Sequence, residues 1–597
     1  MPLSKLPIPG GLNSDKSDYS LGPVWKTGDK IRFEQGDPEP IGGWEALSDY
    51  NATGSPSDVI IWRDLSGNDL MAVGTEQRLS IVKNGTIYDI TPIASTEDPL
   101  GSDPLTTVSG QATITVNDTS HGAAAGDYVV LSSATTTNGI PDTEINATHQ
   151  ITSITDSDNY VITVTTTASS SGTGGGASIK AEYLLATGVP IPTAGFGWGA
   201  GTWNEVGTTW GTARTSSSVT LAAQLWSFDL WGEDLIACRR DGLIYTWDAS
   251  VGVGTRATAV TNAPTTNKFV KVSVPDRHLV SFGAHDGANN DPLNIRWTDQ
   301  EANTTWTAAA GNTAGSQRVH IGESVVAAVQ ARDQILLWTN NALFGMIFSG
   351  APFTFTFRHL ATEQPPVGPS AAVYKNGLVF WFADTNFYLY DGSVKVVPCP
   401  VRDHVFNDIN LGMADLVYGG TNDDFTEVWW HYPSASSSDY PDRYVALDFT
   451  TGEWTFGTLG RNVWKDSQSW QSNPIAYDSS GNFYFHEKDK SADGSALNWS
   501  IESATVEVPE AGDKFFLIDK FITNISQQTG DVTLTVYYRR YPNATESNKT
   551  YTITSTTEKI SARIRGRELR FKYDSTETES FAKLGILRTD WRPDGGR

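Results

Sequence analysis

The stretch FTEVWWHYPSASSSDYPDRYVALDFTTGEWTF, Phe425 to Phe456, alternates strand-forming and turn-forming residues. Phe425 to Tyr432 is aromatic and β-favouring, and a Ser/Pro/Asp-rich loop follows. Tyr444 to Phe449 resumes the alternation, and Thr451-Gly452 turns the chain into Trp454 and Phe456. Period-two burial with turn residues at the reversals predicts three short antiparallel strands in a row. A meander of this size cannot cover both of its faces and requires neighbours of its own kind.

The rest of the chain supplies them. DLIACRRDGLIYTWD (Asp234 to Asp248), DRHLVSFGAHDG with NIRWTD (Asp276 to Asp299), DQILLWTNNALFGMIF (Asp333 to Phe348) and YKNGLVFWFADTNFYLYDGSVKVV (Tyr374 to Val397) precede the quoted stretch. NPIAYDSSGNFYFH (Asn473 to His486) follows it. Each unit is an apolar strand, a short Gly/Asn/Asp turn and an aromatic strand. Successive units lie about forty to sixty residues apart, the period of a β-propeller whose blades bury their faces against one another. Asp58 to Asp89, with strands VIIW, LMAV and LSIV and the Asn84-Gly85 hairpin, reads as a first blade. The fold expected is all-β: a β-propeller of six to eight blades, with a large two-sheet sandwich as the competing architecture. The expected divisions are an N-terminal segment with the first blade (1–103), an inserted small β-domain (104–185), the remainder of the propeller (186–490) and a C-terminal β-sandwich-like domain (491–597).

The inserted segment stands out by composition. From about Pro104 to Tyr183 Thr and Ser dominate, Trp is absent and the strands are short, ending in the Gly-rich SSSGTGGG. Insertion at a surface turn is thermodynamically cheap because loop-closure entropy grows only logarithmically with length. Next comes GFGWGAGTWNEVGTTWG (Gly195 to Gly211), where Trp198, Trp203 and Trp210 are spaced by glycines. This is either an aromatic contact surface for a partner subunit or glycan, or a self-packed loop over a sheet edge. Helical periodicity is nearly absent; Ser217 to Trp231 and Asn407 to Asp415 are the only candidates for helical turns. Near the N-terminus Ile31 and Phe33 alternate with charged residues, and Gly42-Gly43 lets the backbone pack closely before Trp44.

In SARIRGRELRFKY the apolar residues change parity between Ile564 and Leu569, which predicts a bulge near Gly566. Arg563, Arg565 and Arg567 would then line one edge or face. Nine Lys/Arg against six Asp/Glu between Ser561 and Arg597 make a basic tail on an acidic protein. Its candidate docking partners are an acidic neighbour, nucleic acid or this chain's own propeller.

The formal charge of −25 argues against a nucleic-acid clamp, which needs clustered Lys and Arg. It suits either simple solubility or a surface that lets nucleic acid pass. Cys238 and Cys399 lack CxxC spacing, so neither a disulfide framework nor a zinc site is expected. No apolar run is long enough for a signal h-region or a membrane span, so synthesis in a cytoplasm is expected.

No catalytic constellation emerges: GxSxG, HExxH, P-loop and GxGxxG patterns are missing. His285-Asp286, Asp403-His404 and His486-Glu487 are adjacent pairs, which point to opposite faces of a strand. Asp64 to Asp69 and Asn422 to Asp424 offer oxygen ligands without the twelve-residue Ca²⁺ loop pattern. The chain is therefore expected not to be an enzyme, with no cofactor, metal or catalytic residues.

Taken in order, GDKIRF and PEPIGGW near the start, HGAAAGDYVVL (His121 to Leu131), GFGWGAGTW, WSFDLWGEDLIACRRDGLIYTWD (Trp226 to Asp248), EVWWHYP with RYVALDFTTGEWTFG, and RIRGRELRFKY with LGILRTDWRPDGGR resemble the tail nozzle (hub or stabilisation) proteins of short-tailed bacteriophages. The resemblance spans nearly the whole chain and rests on the order of the motifs. It implies a virion structural protein of the viral tail, whose propeller carries an inserted platform domain. Six copies would form a ring below the portal and adaptor, ending the DNA-ejection channel. Implied partners are self, adaptor or head-to-tail connector proteins, tailspikes or tail fibres, and passing genomic DNA through non-specific contact. Trp198, Trp203, Trp210, Arg563, Arg565 and Arg567 are the candidate partner contacts. The alternative is a propeller-type module that binds or depolymerises host-surface glycan.

Overall fold

The computed structural model describes residues 3–16, 22–186, 188–197, 214–350, 352–436, 439–468, 471–507, 514–541 and 544–595. Seven four-stranded antiparallel sheets dominate it, spanning residues 56–89, 226–259, 269–318, 325–362, 372–396, 418–458 and 463–486; the last takes its fourth strand from Trp44–Ala46. We number them blades 1 to 7. The first strand of each, from Pro56–Arg63 in blade 1 to Val463–Lys465 in blade 7, lies beside the first strand of the next, and Val463–Lys465 packs against Pro56–Arg63 to close the circle. The chain is a seven-bladed β-propeller carrying additional β-domains.

Blade 6 shows how the aromatic sequence makes this architecture. Glu427–Tyr432, Arg443–Asp448 and Trp454–Thr458 are the three strands expected from the quoted stretch, and Tyr418–Asn422 adds the inner strand. Adjacent tryptophans leave opposite faces of the sheet. The Trp430 indole donates to the Ala371 carbonyl beside blade 5 at 3.0 Å, whereas Trp429 stacks on Trp464 of blade 7 with 5.6 Å between centroids and 6° between planes. Both are fully buried. Each such indole contributes roughly 4–6 kcal/mol of gross burial before ordering costs. Trp62 reaches the Glu233 carbonyl of blade 2, Trp226 reaches Thr75 of blade 1, and Trp464 reaches Thr421 of blade 6. The tryptophans are inter-blade core.

The first fifty residues are shared between the propeller and the C-terminal domain. Ser4–Leu6 pairs with Leu587–Pro593, Trp25–Asp29 pairs with Trp499–Ser503, and Trp44–Ala46 pairs with Phe483–His486 to complete blade 7. Between them the hairpin Ile31–Glu34/Asp37–Pro40 inserts Arg32, which is almost wholly buried. Its guanidinium binds Glu427 of blade 6 (Nε–Oε1 3.2 Å, Nη2–Oε2 3.0 Å) and Glu487 just after blade 7 (Nη1–Oε2 2.9 Å, Nη2–Oε1 2.6 Å), and lies 3.4 Å from the Phe425 ring centroid. Gly43 has to be glycine: a Cβ there would stand 2.1 Å from the Ser491 carbonyl oxygen.

Between blades 1 and 2 the chain makes an eight-stranded excursion from Ile93–Glu97 to Lys180–Leu184, which pair with each other. Thr148–Asp156 pairs with Tyr128–Ser132 at its start and Asn159–Thr163 at its end, linking two halves around a separate core that includes Ile114, Val129, Ile151, Tyr160 and Ile179. After blade 7 two sheets, built on Phe516–Ile522 and Glu568–Ser575, pack face to face through Ile518, Phe521, Leu534 and Phe571.

Two local expectations change, and the helical turns expected at Asn407 to Asp415 are found. Trp226–Trp231, within the segment considered for helix, is the inner strand of blade 2, because its Ser227 and Asp229 bond the backbone of blade 3. Asn407 to Asp415 spans the end of a short helix, Arg402–Asp408, and a 3-10 segment, Leu411–Leu416. The parity change at Gly566 is a change of sheet: Ile560–Gly566 pairs with Phe516–Ile522, whereas Glu568–Ser575 pairs with Trp499–Ser503 and Val532–Arg539. The bulge in this region lies earlier, where Arg563 has φ 49° and the register against Phe516–Ile522 slips.

Candidate functional site

Two places gather charged side chains away from the inter-blade core. The first is the edge of the C-terminal domain. Ile560–Gly566 is the outer strand of its sheet and turns Ser561, Arg563 and Arg565 to solvent. Arg565 pairs with Asp594 and lies 4.3 Å from the Phe515 ring centroid; Arg567, at the corner between sheets, lies 4.7 Å from Phe515 and 4.8 Å from Tyr541. The Arg567 Nε is buried and meets no acceptor among the described residues. Arg565 and Arg567 thus converge on one ring, and Arg563 sits at the bulge beyond it. Much of the remaining basic tail is paired within the chain: Arg570 with Glu502 and Glu546, Arg592 with Asp519, and Lys583 with Glu34 and Glu39 of the N-terminal hairpin. Trp198, Trp203 and Trp210 lie outside the described residues.

The second place is the propeller axis. A cavity of about 560 Å³ is lined by inner strands of blades 1 to 7 and carries Asp58, Asp229, Arg240, Lys268, Lys271, Asp415 and Lys465. The exposed edge of an inner strand leaves backbone donors and acceptors to be satisfied. Side chains from the preceding blade do this. Asp58 Oδ2 accepts from the Phe228 amide at 3.0 Å, Asp229 Oδ2 from the Val272 amide at 2.8 Å, and Ser227 Oγ bonds both the amide and the carbonyl of Val270. Asp58 Oδ1 takes the Val59 amide and the Tyr418 hydroxyl at 2.9 and 3.0 Å, and Asp415 pairs with Arg240 at 2.6 Å. These carboxylates hold the blades together. Burial depresses the Lys465 pKa, against the opposing charge of Asp58 3.8 Å away, and burial followed by the Arg240 charge depresses that of Lys268.

The other positions singled out in the sequence have structural partners. Asp64 caps its own hairpin, both oxygens taking Asn68 at 2.7 Å; these bonds outweigh burial and hold its pKa below the usual carboxylate value. His486 and Glu487 face different groups: His486 Nε2 accepts from Arg461 at 2.9 Å, and Glu487 holds Arg32. Burial pushes the Cys238 thiol up and the Cys399 thiol up to about 12, so both stay protonated at neutral pH. Sequence reasoning missed Arg461, buried with cation–π contacts to Tyr484 at 4.0 Å and Trp44 at 5.1 Å, and the axial lysines. Their only signal was a charged residue inside or beside an inner strand, as in PSDVII and NKFVKV.

No protein-family model matches the chain. No curated protein matches it either. Among solved structures, similarity is found to a phage phi92 endosialidase (10% identity, 71% of this chain and 64% of that one, TM-score 0.19). It is found also to Hsv2 of Kluyvelomyces marxianus (10% identity, 46% and 75%, TM-score 0.28). A third is the Cps50 (Swd1) β-propeller domain of Myceliophteria thermophila (9% identity, 66% and 99%, TM-score 0.29). The chain spans 64% of the endosialidase's length, and at these scores the likenesses carry no functional implication.

Proposed function

We propose that this chain is a structural subunit of a short bacteriophage tail, forming the ring-shaped nozzle or hub that ends the DNA-ejection channel below portal and adaptor. The carrying observation is the whole-chain order of motifs resembling tail nozzle proteins, on a propeller with a β-domain inserted between blades 1 and 2. Each part has a physical role in this reading. The closed propeller is a rigid body. The inserted domain, with a core of its own, and the C-terminal sandwich, docked on the blades, offer the two different patches that a closed heterologous ring requires. The charge of −25 keeps a channel wall from retaining DNA, by the same electrostatics that make basic walls bind it. Contacts to adaptor, tailspikes or fibres fall to the added domains, with Arg563 and Arg565 on the exposed edge of one of them and Arg567 at its corner.

The test is oligomeric state and shape. Mass photometry and negative-stain micrographs of the purified chain are expected to show rings of about six subunits. A monomer at all concentrations, together with cleavage of a polysaccharide from a host glycan panel, overturns the proposal in favour of a glycan-active tail module.

A further inference from the structure

The axial cavity holds more positive charge than its own carboxylates satisfy. Arg240, Lys268, Lys271 and Lys465 face Asp58, Asp229 and Asp415 across about 560 Å³. The carboxylate oxygens are already engaged: those of Asp58 and Asp229 by backbone amides and the Tyr418 hydroxyl, and that of Asp415 by Arg240. The ammonium groups are held at longer range. Lys268 reaches one carbonyl, Val325 O, at 3.5 Å; Lys465 has Asp58 at 3.8 Å and the Tyr418 ring centroid at 5.5 Å; Lys271 meets no acceptor among the described residues. Like charges also neighbour each other: Arg240 acts on Lys268 and Lys271 acts on Lys465, in both cases disfavouring the charged lysine. Three under-coordinated ammonium groups within one concave, partly desolvated space, in a protein of charge −25, are an arrangement that an anion relieves.

We propose that the propeller axis is a binding site for a tetrahedral oxyanion of the phosphate class, held by Lys268, Lys271 and Lys465. The donor set selects the class. A planar carboxylate is best met by the two-pronged guanidinium fork, and the one guanidinium among the described lining residues, Arg240, is committed to Asp415. Ammonium groups are point charges that surround an anion from several directions, as a tetrahedral group with oxygens on every side demands. Lys271 belongs to the strand Phe269–Val272 and Lys268 immediately precedes it; the two leave opposite faces of the chain, yet both line the cavity, so their flexible stems enter it from either side. Lys465 enters from blade 7. The occupant is either free phosphate or a phosphate monoester. The proposal does not depend on ring formation.

The experiment uses the full chain. Calorimetric titration and thermal shift with sodium phosphate, against sodium chloride at equal ionic strength, are expected to show saturable binding and a rising unfolding temperature. Glycerol 3-phosphate titrated in parallel distinguishes a free ion from a monoester as the tighter occupant. Lys271→Met, which removes no internal bond, is expected to weaken the apparent Kd about tenfold, the loss of one charge-assisted contact. Lys559→Met, at an exposed position in the C-terminal domain, is expected to leave it unchanged. Absence of saturable binding overturns the proposal. So does binding that survives both Lys271→Met and Lys465→Met in folded protein, or acetate binding as tightly as phosphate.

Discussion

Replacing Arg32 with methionine is expected to destabilise the closed propeller by about 3–5 kcal/mol, because it strands two buried carboxylates. Burial works against the guanidinium charge, but Glu427 and Glu487 more than reverse it and raise its pKa. Burial also raises the Glu427 carboxyl, with Arg32 opposing and Glu487 adding to the effect. One cation thus serves two acids, and the cluster keeps an excess negative charge that the Trp429 indole, the Asn422 amide and the Gly42 amide partly satisfy at 2.9, 3.1 and 2.9 Å. Without Arg32 the Glu427 carboxyl pKa rises further. A carboxylate whose folded pKa exceeds its unfolded value is most favourable to stability below the unfolded value, and that advantage is lost as pH rises through the folded one. The deficit of Arg32→Met is therefore largest at neutral pH and above and shrinks as pH falls toward the ordinary glutamate value. Urea unfolding followed by tryptophan fluorescence measures it, and limited proteolysis shows whether the N-terminal segment detaches first. A deficit under about 1 kcal/mol, or one independent of pH, refutes this role for Arg32. Arg32→Met combined with Glu427→Gln and Glu487→Gln is expected to recover part of the loss, since neutral amides cost less to bury than charges.

Acid is expected to loosen the contact between blades 6 and 7. His431 is fully buried with both ring nitrogens unpartnered among the described residues, and burial, then Arg461, hold its pKa at about 3. With the folded pKa depressed, stability is complete above the ordinary histidine value and is lost as pH falls toward 3. This slope is worth up to about 4–5 kcal/mol, and His431→Phe should flatten it in urea midpoints measured against pH. Gly43→Ala should cost more than about 2 kcal/mol and expose residues 1–47 to protease, because the added methyl meets the Ser491 backbone. Replacing residues 93–184 by a short Gly/Ser bridge should leave the propeller folded by circular dichroism, since the two ends meet where the Leu185 amide donates to the Pro92 carbonyl at 2.8 Å.

The outer three strands of a blade were readable because they alternate large apolar residues with turns: Glu427–Tyr432, Arg443–Asp448 and Trp454–Thr458 follow directly from the quoted stretch. The inner strands were harder. Tyr418–Asn422 reads YGGTN, with glycines where Trp464 and Val373 press against the backbone, and a Cβ at Gly420 would stand 2.4 Å from the Trp464 ring. Such a strand lacks the pattern of its neighbours because it is packed by their side chains. The closing strand Trp44–Ala46 is invisible locally for another reason: three residues become a strand only through pairing with His486 and its neighbours more than four hundred positions away. The axial lysines suffer the same fate, since Lys271 and Lys465 meet only after the circle closes.

That closure also bears on where function resides. A seven-bladed circle buries the faces of its sheets against neighbouring blades, and its tryptophans are largely consumed between blades, while the inner strands line the axial cavity. The two ends of the chain are tied together by the same device: strands from the first fifty residues enter both blade 7 and the C-terminal sandwich, and Lys583 returns from the sandwich to Glu34 and Glu39. A force on the C-terminal domain is therefore transmitted through paired strands and the Arg32 cluster into blades 6 and 7. In the proposed nozzle, which would have to hold while a genome passes, a load path of this kind is what the assembly requires. It makes a sharp physical demand: Arg32→Met should weaken ring assembly to the extent that it loosens the domain from the blades, even though Arg32 itself is buried inside one subunit.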